Sequence, residues 1–201
     1  MNIHQIIFSP TGGTRRVSEI LCHDMGKDSI MTDLCVKATD IQLPDIQEND
    51  LAIIAMPVFA GRVPTLAVEH LRKVNPHGAK CVVVAVFGNR AYDDALIEML
   101  DVATEIGFRV IAAVGAVAEH SIIRKYGKGR PDTDDEKTLR HFGADILSKA
   151  KSDDSTKCIS CMKCISVCPT GGRSIGVIMN FLATQGLKKV CATRKANELY
   201  L

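Results

Sequence analysis

Four cysteines stand within eleven residues late in the chain, in the run Cys158-Ile159-Ser160-Cys161-Met162-Lys163-Cys164-Ile165-Ser166-Val167-Cys168-Pro169. The spacing, C-x2-C-x2-C-x3-C-P, is that of thiolates wrapped around a cubane iron–sulfur cluster. Three ligands two residues apart enclose one corner of such a cluster, and Pro169 stops the local turn after the fourth cysteine. Zinc is the rival metal, but its sites usually draw on two separated pairs of ligands, which a close triplet fits poorly. Where two such runs occur in one protein, the cysteine before proline serves the other cluster. This sequence has no second run. A single cluster therefore takes Cys158, Cys161 and Cys164, with either Cys168 or Cys191 as fourth ligand, or forms a labile or three-iron centre. The remaining cysteines, Cys22, Cys35 and Cys81, are scattered singly in apolar or helical contexts and read as small buried hydrophobes.

A second chemical feature lies near the start. Ser9-Pro10-Thr11-Gly12-Gly13-Thr14 falls between an apolar run and an amphipathic stretch. Two glycines let the backbone turn tightly, Ser9, Thr11 and Thr14 offer hydroxyls, and a following helix presents its positive dipole end. Together these make a phosphate cradle that needs no lysine. The loop has neither the Gly-Lys-Ser/Thr of a Walker loop nor a GxGxxG pattern. The plain alternative is a strand–helix turn capped by threonine.

The elements that must position these residues alternate along the first 150 positions. Strands are predicted over Ile3–Phe8, Ser29–Leu34, Leu51–Met56, Lys80–Phe87 and Arg109–Val117. Helices are predicted from Thr14 to about Met25, over Val63–Val74 entered at Pro64, over Asp93–Ile106 ended by Gly107, and from a capping box at Thr133–Glu136 to about Lys151. Short apolar strands separated by helices imply parallel βαβ units covered on both faces. The expected fold is a doubly wound, five-stranded α/β sheet whose ligand sits beyond the carboxyl ends of the strands, near the topological switch point. The polar stretch Lys151–Thr156 reads as a linker, dividing the chain into residues 1–151 and a short C-terminal segment, 152–201.

The loop at Ser9–Thr14 resembles the flavodoxin pattern Ser/Thr-x-Thr-Gly-x-Thr, which holds the phosphate of FMN. Two further stretches strengthen the likeness: Pro57-Val58-Phe59-Ala60-Gly61-Arg62-Val63-Pro64 after the third strand, and Phe87-Gly88-Asn89-Arg90-Ala91-Tyr92-Asp93 after the fourth. Flavodoxin-like proteins place there the loops flanking the isoalloxazine ring. The resemblance implies stacking by Phe59 or Tyr92, close backbone approach at Gly61 and Gly88, and a polar contact from Asn89. Arg62 and Arg90 either favour a reduced, anionic flavin or are paired at the surface, and Arg15 and Arg16 read as an exposed helix face. The C-terminal run is similar to bacterial ferredoxins. The whole chain resembles the microbial family in which a flavodoxin domain is fused to a ferredoxin-type 4Fe–4S module. Glu119-His120-Ser121, Gly129-Arg130-Pro131-Asp132 and the ending Arg194–Leu201 carry that likeness further, and the plain reading of His120 and Arg130–Asp132 is a turn tied by a charge pair. Members generally carry two cysteine quartets, and this chain holds one.

The cofactors expected are FMN and a 4Fe–4S cluster, and the expected role is electron transfer between them, with redox proteins of unknown identity as partners. Two rivals are an FMN-dependent reductase acting on a small acceptor, and a non-redox binding module with a zinc-stabilised tail. The chain has 201 residues, a formal net charge of +2, no tryptophan and 4% aromatic residues. This balance argues against nucleic-acid or membrane surfaces. No apolar stretch approaches the roughly 20 residues of a membrane helix and the N-terminus lacks a signal-peptide pattern, so a cytoplasmic location is expected.

Overall fold

The computed structural model describes residues 1–26, 29–152 and 196–201. All of these but Ser152 belong to one compact unit, residues 1–151 together with 195–201. All five candidate cluster ligands, Cys158, Cys161, Cys164, Cys168 and Cys191, lie outside the described residues.

The sheet is built from β1 (Ile3–Ile7), β2 (Ser29–Asp33), β3 (Leu51–Pro57), β4 (Lys80–Phe87), β5 (Arg109–Val117) and β6 (Glu198–Tyr200), in the order β2-β1-β3-β4-β5-β6. The first five are parallel. Helices α1 (Gly13–Cys22), α2 (Thr65–Leu71), α3 (Ala95–Glu105) and α4 (Thr133–Ser152) provide the crossovers and the covering layers. The chain alternates faces with the period of two that strand geometry imposes. Leu51, Ile53 and Ala55 of β3, with Val82, Val84 and Val86 of β4, enter the core under α1 and α4, where Val17, Leu21, Leu139 and Ile146 meet them. Ala52, Ile54 and Met56, with Cys81, Val83 and Ala85, enter the core under α2 and α3, against Ala67, Leu71, Met99 and Val102. Strands buried on both faces need no polar positions, which is why β3 and β4 read as unbroken apolar runs.

Three features depart from the sequence expectation. The sheet has six strands, not five, because the chain end returns to it: β6 pairs antiparallel with β5, placing Gly115 opposite Glu198 and Ala113 opposite Tyr200. A three-residue strand is too short to show any hydrophobic period, so nothing in 198–200 announced it. The cap of α4 is Asp132, one residue before the expected Thr133. Its carboxylate accepts the N–H groups of Asp134 and Asp135, each at 3.1 Å, while Asp135 Oδ2 accepts the Asp132 N–H at 3.0 Å. This is the reciprocal arrangement of a capping box with aspartate in both roles. Finally, Cys22 and Cys81 are buried as expected, but Cys35 is exposed. Among the described residues, no helix is long and apolar enough to cross a membrane.

Candidate functional site

The sheet order reverses between β1 and β3, and the loops leaving the carboxyl ends of β1, β3, β4 and β5 meet there. In the loop after β1, Gly12 is the N-cap of α1 with φ 86° and ψ −17°, a left-handed conformation that glycine adopts without steric cost. The Ser9 hydroxyl accepts the Arg15 N–H at 2.9 Å, and the Gly12 carbonyl accepts the Arg16 N–H at 3.0 Å. The loop is thus held by its own bonds. The first amides of a helix have no intrahelical acceptor, so those of Gly13 and Thr14 remain for an external one. This geometry fits an anion such as a phosphate group.

A cavity of ≈ 290 Å³ opens beside the loop. It is lined by Thr11, Gly13 and Thr14, by Pro57, Val58, Phe59 and Ala60 after β3, and by Phe87 and Gly88 after β4. Nine of the fourteen residues expected at a flavin site therefore share one hollow. A second recess of ≈ 380 Å³ adjoins the same loop at Thr11, Gly12 and Gly13, with Arg16, Arg124 and Arg130 on its walls. The first cavity is mainly apolar with a few polar groups, as small-molecule sites usually are, whereas the second is lined mostly by polar and charged residues.

Backbone strain gathers around the cavity. Phe59 and Arg62 exchange N–H···O bonds of 2.8 and 3.1 Å across a two-residue turn, with Ala60 at φ 52° and Gly61 at φ 83°. Positive φ at both central positions is the type I′ geometry, which favours Asn-Gly and Gly-Gly over Ala-Gly. Asn89 (φ 65°) and Asp93 (φ 42°) are also left-handed. Such conformations cost about 1 kcal/mol or more apiece and tend to cluster at ligand sites.

The fourth wall escaped sequence reasoning. Ala118, Glu119, His120, Ser121 and Ile122, after β5, line the cavity. The signal was available, because β5 ends on the same edge of the sheet as the other parallel strands. His120 shapes this wall. Its Nδ1 accepts the N–H groups of Ile122 (3.2 Å) and Ile123 (3.1 Å), which leaves the ring proton on Nε2. A Cβ on Gly88 would lie 2.7 Å from the His120 ring. The close approach that Gly88 permits is therefore made by this imidazole. At Gly61, likewise, the approaching group is the Asp93 carboxylate, 2.6 Å from where a Cβ would stand.

Behind the wall lies a buried ion pair. The Arg130 guanidinium donates through Nε to Asp135 Oδ2 at 2.7 Å and through Nη2 to Asp135 Oδ1, with both side chains 4% exposed. Asp135 Oδ1 also accepts Asn197 Nδ2 at 3.1 Å, and Asn197 Oδ1 accepts the Val117 N–H at 2.9 Å. The three stretches singled out in the sequence, around Glu119, Arg130 and Asn197, thus converge where β5 ends.

Several expected residues do other work. Ser9 lies behind the lining, holding α1 in place. Asn89 is not on the cavity wall; its Oδ1 faces Arg130 Nη1 at 3.4 Å. Tyr92 turns away from the cavity. Its ring packs edge-on against Phe87, 5.4 Å between centroids, and its hydroxyl meets Glu198 Oε2 at 2.7 Å and the Tyr200 hydroxyl at 2.8 Å. Burial first, and then the bonds to Tyr200 and Glu198, hold its phenol well above the usual tyrosine range. Phe59, 43% exposed, remains at the cavity rim. The arginines are surface pairs: Arg62 with Glu98, Arg90 with Asp93, Arg15 with Asp33 and Arg16 with Glu136. Cys35 Sγ accepts the Ser9 N–H at 2.9 Å, which couples the thiol to the loop after β1.

Comparison with solved structures identifies the fold. A flavodoxin from the domain Archaea aligns with a TM-score of 0.52 at 17% identity, over 75% of this chain and 99% of that one. The fold is flavodoxin-like. Flavodoxin 1 from Bacillus cereus aligns over 74% of this chain and 98% of its own, with a TM-score of 0.52 at 16% identity. A WrbA-like flavodoxin from Agrobacterium tumefaciens gives 0.53 at 13% identity, over 76% and 99%. No curated protein matches the chain by sequence. Residues 152–173 match the family model of the 4Fe-4S binding domain, and this stretch contains Cys158, Cys161, Cys164 and Cys168. The chain therefore combines a flavodoxin-like unit with a C-terminal ferredoxin-type segment.

Proposed function

We propose that the protein is an electron carrier that holds FMN in the cavity at the β1/β3 switch point and a 4Fe–4S cluster on its C-terminal cysteines. The observation that carries this reading is the meeting of the phosphate loop with the strand-end loops of β3 and β4 on one hollow, in a chain whose residues 152–173 match an iron–sulfur family. Flavin supplies one- and two-electron chemistry and an iron–sulfur cluster one-electron chemistry, so the protein itself needs no nucleophile or acid–base pair.

The residues have separable tasks. The amides of Gly13 and Thr14, at the positive end of α1, bind the FMN phosphate. Val58, Phe87 and the rim residue Phe59 give the ring an apolar wall, and Gly88 with His120 bounds it from the β5 side. The strained turn at Ala60–Gly61 presents backbone groups to a ring edge. The cluster ligands are Cys158, Cys161 and Cys164 with Cys168 or Cys191. Donor and acceptor are redox proteins that approach the open mouth. We also place the protein in the cytoplasm, where a thiolate-bound cluster is kept from oxidation to disulfides.

Titration of the purified chain with FMN and with riboflavin, followed by flavin fluorescence, tests the assignment. Riboflavin lacks the phosphate. FMN should bind at least ~100-fold more tightly, a difference of about 2.7 kcal/mol. Gly12→Val, which cannot keep φ at 86°, should erase most of that preference. Equal affinities for the two flavins would remove the phosphate loop from the account.

A further inference from the structure

We propose that the outward face of the loop following β5 is the docking surface for a small acidic electron-transfer protein. The inference rests on the cofactor reading above and extends it to the class of partner.

Four large apolar side chains crowd the rim of the cavity, left exposed among the described residues: Ile122 is 85% exposed, Tyr126 48%, Ile123 47% and Phe59 43%. Ile122 and Phe59 line the hollow, so a bound cofactor covers part of them. Ile123 and Tyr126 do not line it, and filling the hollow does not cover them. Their exposure is not the result of a slack loop. The His120 N–H donates to the Tyr126 carbonyl and the Tyr126 N–H to the Ile123 carbonyl, both at 3.0 Å. The two amides held by His120 Nδ1 fix the same turn. The backbone is closed on itself while its apolar side chains point outward. A clustered, exposed apolar patch beside a ligand cavity marks an interaction surface.

Charge decides what covers it. Residues 119–131 hold four basic residues, Arg124, Lys125, Lys128 and Arg130, against one acidic residue, Glu119. Arg130 is spent internally on Asp135, and the Glu119 carboxylate is engaged by the Gly129 N–H at 3.0 Å. Arg124 Nε faces Glu119 Oε1 at 3.9 Å, which leaves Lys125 and Lys128 exposed around the apolar group, with the Lys125 ammonium 5.0 Å from the Tyr126 ring centroid. For a chain whose whole net charge is +2, this is a local concentration of positive charge. A second copy presenting the same face across a two-fold axis would set these cations against each other, which disfavours a symmetric dimer. An acidic partner gains from both parts of the surface. Cations on the rim steer its approach and the apolar residues exclude water at the contact, next to the cavity where electrons are exchanged.

The test uses the full chain, prepared without oxygen, and a dye-labelled, oxidised acidic 2Fe–2S ferredoxin as probe. Fluorescence anisotropy then reports docking whether or not flavin is bound. The charge reversal Lys125→Glu/Lys128→Glu should raise Kd at least ~10-fold at low ionic strength, and the difference should vanish near ~0.5 M salt, where screening acts over roughly 4 Å or less. Tyr126→Ser should weaken binding at both salt concentrations. A flavin-loaded chain that binds the probe equally in wild-type and reversed forms would overturn the docking proposal and leave the cofactor reading standing. So would self-association, seen by sedimentation, that the reversal abolishes. A chain that docks the probe with this charge dependence but takes up no flavin would instead sink the cofactor reading.

Discussion

Replacing Asn197 with alanine should destabilise the flavodoxin-like unit far more than its place near the end of the chain suggests. Asn197 is 8% exposed and makes two buried hydrogen bonds, to the Val117 N–H at 2.9 Å and to the Asp135 carboxylate at 3.1 Å. The first is a neutral bond worth about 1 kcal/mol, and the second, to a charged acceptor, about 1.5–3 kcal/mol. Truncation also strands the Val117 amide, in a residue with 0% exposure, at a further cost of about 1 kcal/mol or more if no water reaches it. The total is about 4 kcal/mol. With a urea m-value of about 2 kcal/mol/M, the midpoint should fall by roughly 2 M. If β6 peels away locally, the midpoint moves less, but hydrogen exchange at Val117 and Leu199 accelerates by a factor of 100 or so. Both readouts belong on the same variant. A midpoint shift below about 0.3 M, with the Val117 amide still protected, would refute the reasoning.

Two further outcomes follow from close contacts and buried charge. In Gly143→Ala the new Cβ would lie 2.2 Å from the Leu21 carbonyl oxygen, a backbone atom that cannot swing aside. The strain should exceed the ~1 kcal/mol that alanine gains over glycine in a helix, lowering Tm by several degrees, and a rise in Tm would contradict this contact. Asp50, 3% exposed, has its carboxyl raised by burial but brought net below the usual range by the N–H groups of Asn2 (2.6 Å) and Gln47 (3.1 Å) and by His4 (3.2 Å). A depressed folded pKa gives stability that is complete above the unfolded value, near ~3.9, and is lost as pH falls through the folded value. Asp50→Asn should therefore be less stable than wild type at pH 7 and show a flatter decline below about pH 4 in urea midpoints; parallel curves would contradict the assignment.

The parallel sheet was legible because its strands are buried on both faces. Leu51–Met56 and Cys81–Phe87 are unbroken apolar runs, and the residues between them carry helical spacing. The three loops were legible because their glycines and hydroxyls sit at strand ends. What sequence could not supply was direction. Tyr92 has the chemistry of a stacking residue, yet Gly115 leaves room on β5 for its ring, and a Cβ there would stand 2.9 Å from Tyr92 Cε1. That contact draws Tyr92 to the sheet and to Glu198 and Tyr200. Asn89 was similarly claimed by Arg130. The strand β6 was hidden because a long-range polar contact, Asn197 on Val117, holds it and leaves no local periodicity, and the packing of His120 over Gly88 that shapes the wall after β5 is likewise long-range. Cys35, in a short apolar context, reads as a core residue, but the turn after β2 carries it outward to the Ser9 amide.

The most direct test is to purify the full chain without oxygen and quantify flavin, iron, sulfide and zinc on one sample while recording its visible spectrum. The account predicts one FMN, about four irons and about four sulfides per chain, with a flavin spectrum overlaid on broad iron–sulfur absorption. Protein that is colourless as isolated, and stays so after incubation with FMN, iron and sulfide, would contradict it.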